Sequence, residues 1–222
     1  YGHILGLPDL YDTSFVFREE GPEEDSGGVG YWCLMGQGAL GWKGNDGPVS
    51  FCAWSREQLG WIGAGNRNLE EVREEKKGVV IGDVETGGKV YKVPISSGEY
   101  FLLESRMRSG GYYDRSIPGE GVLIWHVDYG GDNTDEERKL VDLECADGRY
   151  LDKGYPDGVM KDVLSGGDNL DFWAHDRDYR EEHKGNLGDG TDMFDGVRYR
   201  NFGPESNPAT TSNDGSSTGH SI

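Results

Sequence analysis

The amino-acid sequence predicts an α+β protein, mainly an antiparallel β-sandwich with long acidic loops, preceded by a short helical region. Three observations carry that expectation. Apolar runs of strand length recur with turn signals beside them and no helical period between them. A helical apolar stripe occurs once, near the N-terminus. Glycine supplies 37 of 222 residues, far above the roughly 7% of ordinary proteins, which favours turns over a helical bundle.

The elements follow in chain order. An apolar start, Ile4-Leu5-Gly6-Leu7, leads into an acidic stretch from Arg18 to Asp25 and then a Gly-rich segment. A helix is expected over 49–59 after Pro48, with Phe51, Ala53, Trp54 and Leu59 as its apolar stripe and Gly60 as its stop. Strands are expected at Val79-Val80-Ile81, Lys89 to Ile95, Tyr100 to Arg106, Gly121 to Asp128 and Leu140 to Cys145. Gly87-Gly88, Ser96-Ser97-Gly98 and Pro118-Gly119 are the turn signals beside them. Beyond Gly148 the chain is rich in Asp and Gly with weak periodicity. Its tail, from Gly203, is rich in Ser, Asn, Thr and Gly, and Thr218 to Ile222 reads as the beginning of a further strand. The change of pattern near residue 63 divides the chain into an N-terminal part, 1–63, and a β-rich part, 64–222.

Composition restricts the partners. The net charge is −19, from 41 acidic and 22 basic residues. A polyanion such as a nucleic acid or an anionic membrane surface is repelled by such a chain. No apolar run approaches the roughly 18 residues a helical membrane span needs. The 6 Trp, 12 Tyr and 7 Phe supply core material and argue against disorder throughout. The 3 cysteines, Cys33, Cys52 and Cys145, allow one disulfide with one thiol left over, and which two would pair is open. No C-x-x-C pair exists, so a thiolate zinc site is not expected.

The most specific chemistry lies at the N-terminus. His3-Ile4-Leu5-Gly6-Leu7-Pro8-Asp9 has the form H-x-x-G-x-x-D, the second half of the zinc-binding motif H-E-x-x-H-x-x-G-x-x-H/D. In the whole motif two histidines four apart share a helix face and reach one metal. The glycine turns the backbone sharply, and the last residue swings back as third ligand, leaving one open coordination position. Taken alone, this half-motif also fits an ordinary surface or core histidine, and Met35 alone reads as core filler.

The surrounding sequence resembles a family. Tyr1 to Asp12 (YGHILGLPDLYD), Trp32 to Gly36 (WCLMG), Pro48 to Trp61 (PVSFCAWSREQLGW), Glu99 to Arg106 (EYFLLESR), Pro118 to Asp128 (PGEGVLIWHVD), Gly188 to Phe194 and the Asn207-Pro208 tail occur in order over most of the chain. They are similar to the immune inhibitor A family of secreted bacterial zinc endopeptidases of metzincin type. The resemblance implies that residues 1–63 are the C-terminal subdomain of a metzincin-like catalytic domain, followed by an accessory β-sandwich. It implies that His3 and Asp9 are zinc ligands, that Gly6 takes the turn, and that Met35 lies in the floor beneath the metal. The first zinc histidine and the general-base Glu would precede Tyr1, together with an N-terminal catalytic subdomain, so the chain carries no catalytic residue of its own and is expected to be truncated at both ends. The implied partners are protein or peptide substrates, and the implied location is extracellular.

Other polar residues have more than one reading. Strand alternation places Val122, Ile124, His126 and Asp128 on one face and Leu123, Trp125 and Val127 on the other, while Glu104 and Arg106 share a face with Tyr100 and Leu102. Their polar groups either reach solvent or pair at strand ends, or form a buried network or calcium site where the strands meet. His126 has no neighbour at ligand spacing and is not expected to bind zinc. Asp189, Asp192 and Asp195 are candidate calcium donors within the acidic region that begins near Asp157, since hard oxygen donors in loops suit that ion. A solvated acidic loop is the competing reading. The function expected is therefore that of part of a secreted zinc endopeptidase, inactive by itself. The alternative is a calcium-organised β-sandwich binding module with a vestigial peptidase remnant.

Overall fold

The computed structural model describes residues 2–13, 27–135, 138–147 and 186–222. The acidic stretch from Arg18 to Asp25 and the acidic segment between Gly148 and Lys184 lie outside the described residues. Among the described residues the chain forms one open five-stranded sheet and one α-helix, with short 3-10 turns around them.

The strands are β1 (Leu69–Glu71), β2 (Val90–Pro94), β3 (Glu99–Arg106), β4 (Gly121–Asp128) and β5 (Val141–Leu143), in that spatial order. β1 runs parallel to β2, and the remaining pairs are antiparallel. β3 and β4 pair over their whole length, from Glu99 opposite Asp128 to Arg106 opposite Gly121. That register carries every expected face assignment into the fold, because side chains alternate strictly across a strand.

Both faces of the sheet are covered. On one, Val90, Tyr100, Leu102, Leu123, Trp125 and Val127 join Leu7, Leu10, Trp32, Met35, Ala53 and Ile62 in one continuous apolar cluster. Residues from both sides of position 63 thus share a core. On the other face, Tyr91, Val93, Phe101, Leu103 and Ile124 pack with Phe202 and Phe194 from the C-terminal segment. The expected sandwich is not seen among the described residues. The described part of the C-terminal segment covers the sheet with loops held by isolated bridges such as Val122 to Phe194, and no second sheet forms among the described residues.

The helix, α1, spans Ala53–Leu59 and is shorter than expected. Val49 and Ser50 are taken by another contact: Val49 N–H donates to the Gly38 carbonyl at 3.0 Å, and Ser50 accepts from Leu34 N–H at 3.2 Å. Cys52 is consequently extended, and the helix can begin only after it. Gly60 ends it in the left-handed conformation, φ 70°, which a residue without Cβ adopts at little cost. Residues 79–81 form no strand, since no neighbour offers a ladder, and Val80 is 83% exposed. β1 was not foreseen because Leu69-Glu70-Glu71 lacks apolar alternation; its pairing with β2 is imposed by tertiary contact.

The polar groups on β3 and β4 are buried. Glu104 and Arg106 are both inaccessible, and Arg106 forms a bidentate pair with Asp114, its Nη2 lying 2.6 Å from Oδ1. Its Nη1 donates to Glu104 Oε1 at 3.2 Å and to the Trp32 carbonyl at 3.5 Å. Trp125 Nε1 donates to the same Glu104 oxygen at 2.8 Å. On the opposite face His126 lies between two carboxylates, Nδ1 3.0 Å from Glu144 Oε1 and Nε2 2.9 Å from Glu99 Oε1. The Glu99 oxygen also accepts from Asn213 N–H, and Asn213 and Arg138 both donate to Asp128 Oδ2.

Burial disfavours the His126 imidazolium, but its bonds to Glu144 and Glu99 outweigh that and raise its pKa above the ordinary value. The folded state therefore holds this proton more tightly than the unfolded state. The resulting stabilisation is complete below the unfolded value near pH 6.5 and is lost as pH rises through the elevated one. Thermal midpoints measured from about pH 6 to pH 9 are expected to fall across that window. His126→Gln should remove the slope; an unchanged slope in that variant would assign it to another group.

Candidate metal centre

Gly2–Leu5 forms a single 3-10 turn at the start of the described chain. Gly6 follows at φ +87°, a conformation that favours glycine, and its N–H donates to the His3 carbonyl at 3.0 Å. Leu7 N–H donates back to the Gly2 carbonyl at 3.2 Å. This tight reversal, followed by Pro8, carries Asp9 back toward His3.

The structure brings the two residues together. His3 Nε2 lies 3.1 Å from Asp9 Oδ1, with the His3 side chain 59% exposed and that of Asp9 29% exposed. The other ring nitrogen, Nδ1, lies 3.0 Å from the Leu7 carbonyl. A carbonyl only accepts, so Nδ1 carries a proton in this arrangement. Nε2 then faces a carboxylate oxygen, and two acceptors so placed are bridged by a proton or by a cation. Orientation of an imidazole through its remote nitrogen is also how ligating histidines are held. The donor types fit zinc, which takes imidazole nitrogen and carboxylate oxygen. Among the described residues no group of three or more His, Cys, Asp or Glu gathers as a metal site, so these two donors would need completion by another residue.

Met35 is buried directly beneath this loop. Its carbonyl accepts from Leu10 N–H at 2.8 Å, and a Cβ added at Gly2 would stand 2.1 Å from its Sδ, so the thioether packs closely against Gly2. Tyr11, beside Asp9, has its phenol pKa raised by burial and, secondarily, by the Asp9 charge.

The three candidate calcium donors lie in one loop region but do separate work. Asp192 is fully buried; its Oδ2 accepts from Trp32 Nε1 at 2.5 Å and from Asp189 N–H at 2.8 Å. Asp189 Oδ1 accepts from the N–H and hydroxyl of Thr191, both at 2.6 Å. Asp195 Oδ1 accepts from the N–H groups of Val197, Arg198 and Tyr199. Each carboxylate organises a turn in the manner of a cap.

The sequence reading missed a cavity of about 540 Å³ lined in part by Leu34 and Val49. Phe51, Trp61, Tyr112 and Tyr113 form aromatic walls, and Glu85 reaches its base, bonded to the Ser50 hydroxyl and 3.6 Å from Arg56 Nη2. The exposed pair Tyr112-Tyr113 after Gly110-Gly111 was its one sequence signal.

No family profile and no solved structure matches the chain. Over a compared length of 90 residues that covers 36% of this chain, the sequence is 31% identical to pre-pro-metalloprotease PrtV of Vibrio cholerae serotype O1, in strains M66-2 and ATCC 39315 / El Tor Inaba N16961. The chain spans only 9% of that protein's own length. The comparison establishes a distant, partial similarity to a metalloprotease precursor.

Proposed function

We propose that this chain is part of a secreted zinc-dependent endopeptidase and that His3 and Asp9 are two of its zinc ligands. The observation that carries the reading is the 3.1 Å approach of His3 Nε2 to Asp9 Oδ1 across the Gly6 turn. The partial similarity to a metalloprotease precursor supports it. In this reading residues 1–63 belong to a metzincin-like catalytic domain, and an N-terminal subdomain supplies the remaining ligand and the general base. Bound zinc supplies Lewis acidity for hydrolysis of a peptide bond.

The chain's own residues hold and orient. The Leu7 carbonyl fixes the His3 ring, Gly6 returns Asp9 to the same point, and Met35 supports the loop from below. The aromatic-walled cavity is a concave surface that could take a peptide side chain. Calcium binding by the acidic loops belongs to the same proposal and rests on their composition.

Metal content of the full-length protein after dialysis tests the ligand assignment. His3→Ala and Asp9→Ala should each lose zinc, and peptide hydrolysis should fall by more than the roughly 100-fold that loss of an outer-shell partner causes. Full zinc occupancy in both variants would overturn the assignment. The 222-residue chain alone is expected to show no chelator-sensitive proteolysis.

A further inference from the structure

The cysteines were ambiguous in sequence, and the fold separates them. Cys33 and Cys52 are both wholly buried in one cluster, whereas Cys145 follows β5 and is half-buried. The Cys33 sulfur accepts the Cys52 N–H at 3.3 Å, and this nitrogen is two bonds from the Cβ that carries the Cys52 sulfur. Both sulfurs contact one hydroxyl, Ser55 Oγ, at 3.8 Å from Cys33 and 3.4 Å from Cys52. Cys33 also accepts the Met35 N–H at 3.4 Å.

We propose that Cys33 and Cys52 are a redox pair whose disulfide staples the turn carrying Met35 to the N-terminus of α1. The chain between them contains Gly36, Gly38, Gly41, Gly44 and Gly47, of which the last three hold positive φ. Such a segment is costly to order, and a cross-link spanning it removes much of that freedom from the unfolded state. The two sulfurs are also unequal. Burial pushes both thiols up, but bonds from the Cys52 thiol and from the Cys52 and Met35 N–H groups outweigh this at Cys33 and lower it, while Cys52 is raised. Cys33, whose sulfur accepts two backbone N–H groups that favour its thiolate, is the attacking sulfur in this proposal, and Cys52 is the resolving thiol.

With a peroxide as oxidant the chemistry balances. The Cys33 thiolate attacks one peroxide oxygen, hydroxide leaves, and a sulfenic acid forms. The Cys52 sulfur then attacks the Cys33 sulfur and water leaves. Two thiols are oxidised to one disulfide, and the peroxide is reduced to two waters.

The test treats the native 222-residue chain with hydrogen peroxide, then unfolds it, alkylates the remaining thiols and maps unreduced peptides. Two of the three thiols should be lost, the Cys33 and Cys52 peptides should be joined, and the mass should fall by two hydrogens. The thermal midpoint should rise on oxidation and return on reduction. Cys145→Ser, which leaves the buried cluster intact, should cross-link as the parent does. A bond to Cys145, oxidation of Cys33 to the sulfinic acid without cross-linking, or survival of all three thiols would each overturn the proposal.

Discussion

Replacement of Arg106 by methionine is expected to destabilise the fold by about 3–5 kcal/mol, the range for breaking a buried ion pair by removing one partner. The guanidinium is wholly inaccessible and is the counter-ion of both Asp114 and Glu104. Removing it leaves two buried carboxyl groups without their cation and also deprives the Trp32 carbonyl of a donor. The penalty is mainly desolvation, so a second change separates it from packing. Arg106→Met with Asp114→Leu should recover a good part of the loss, because the more strongly bound carboxylate is removed with its partner. Glu104 behaves differently. Burial raises its pKa, against the opposing pull of Arg106 and Arg56, and the other oxygen of the same carboxyl, Oε2, has no hydrogen-bond partner among the described residues. Glu104→Gln keeps an acceptor for Trp125 and Arg106 and is expected to cost no more than about 1 kcal/mol. Urea unfolding of the four proteins measures all of these. A loss for Arg106→Met no larger than that for Glu104→Gln would contradict the ion-pair account.

Phe101→Ala has the second large expected effect, about 3–5 kcal/mol for deleting a buried aromatic ring. Phe101 is wholly buried on the face that receives the C-terminal segment. Its ring centre lies 4.8 Å from that of His126 and 5.1 Å from that of Phe202. The loss should therefore be uneven. Contacts on the opposite face remain, whereas the seat of Phe202 is removed, so residues 202–222 should become susceptible to protease before the sheet unfolds. Limited proteolysis followed by mass mapping reads this order. First cuts within β3 or β4 would contradict it.

The particular residues show why some of this was legible in sequence. β3 and β4 were visible because Tyr100–Arg106 and Gly121–Asp128 are apolar runs of strand length beside turn signals, and the structure pairs them over that length. Gly60 was visible as a helix stop because its positive φ is a local requirement. The loop joining His3 to Asp9 was visible for the same reason: Gly6, Leu7 and Pro8 set a short reversal whose geometry depends on nearby residues. α1 was placed too early because Val49 and Ser50 satisfy helical periodicity yet bond to the 33–38 turn. The segment 79–81 has strand composition, but a strand requires a neighbour, and that is not a local property.

The His3–Asp9 pair and the Asp189, Asp192 and Asp195 group differ in the same way. The His3–Asp9 juxtaposition follows from five intervening residues. The convergence of Asp189, Asp192 and Asp195 depended on how a loop folds, and each carboxylate is engaged by nearby N–H groups or by Trp32.

The sequence by itself determined the local turns, the alternation of β3 and β4, and the half-motif that points to a metal. Only the tertiary structure decided that the five strands of the described residues form one mixed sheet, that Glu104, Arg106 and His126 are buried in charged networks, and that Cys33 meets Cys52. The physical reason is range: backbone conformation and alternation are set over a few residues. Burial, ion pairing and sulfur contact depend on groups brought together from distant parts of the chain, as Arg106 meets the Trp32 carbonyl.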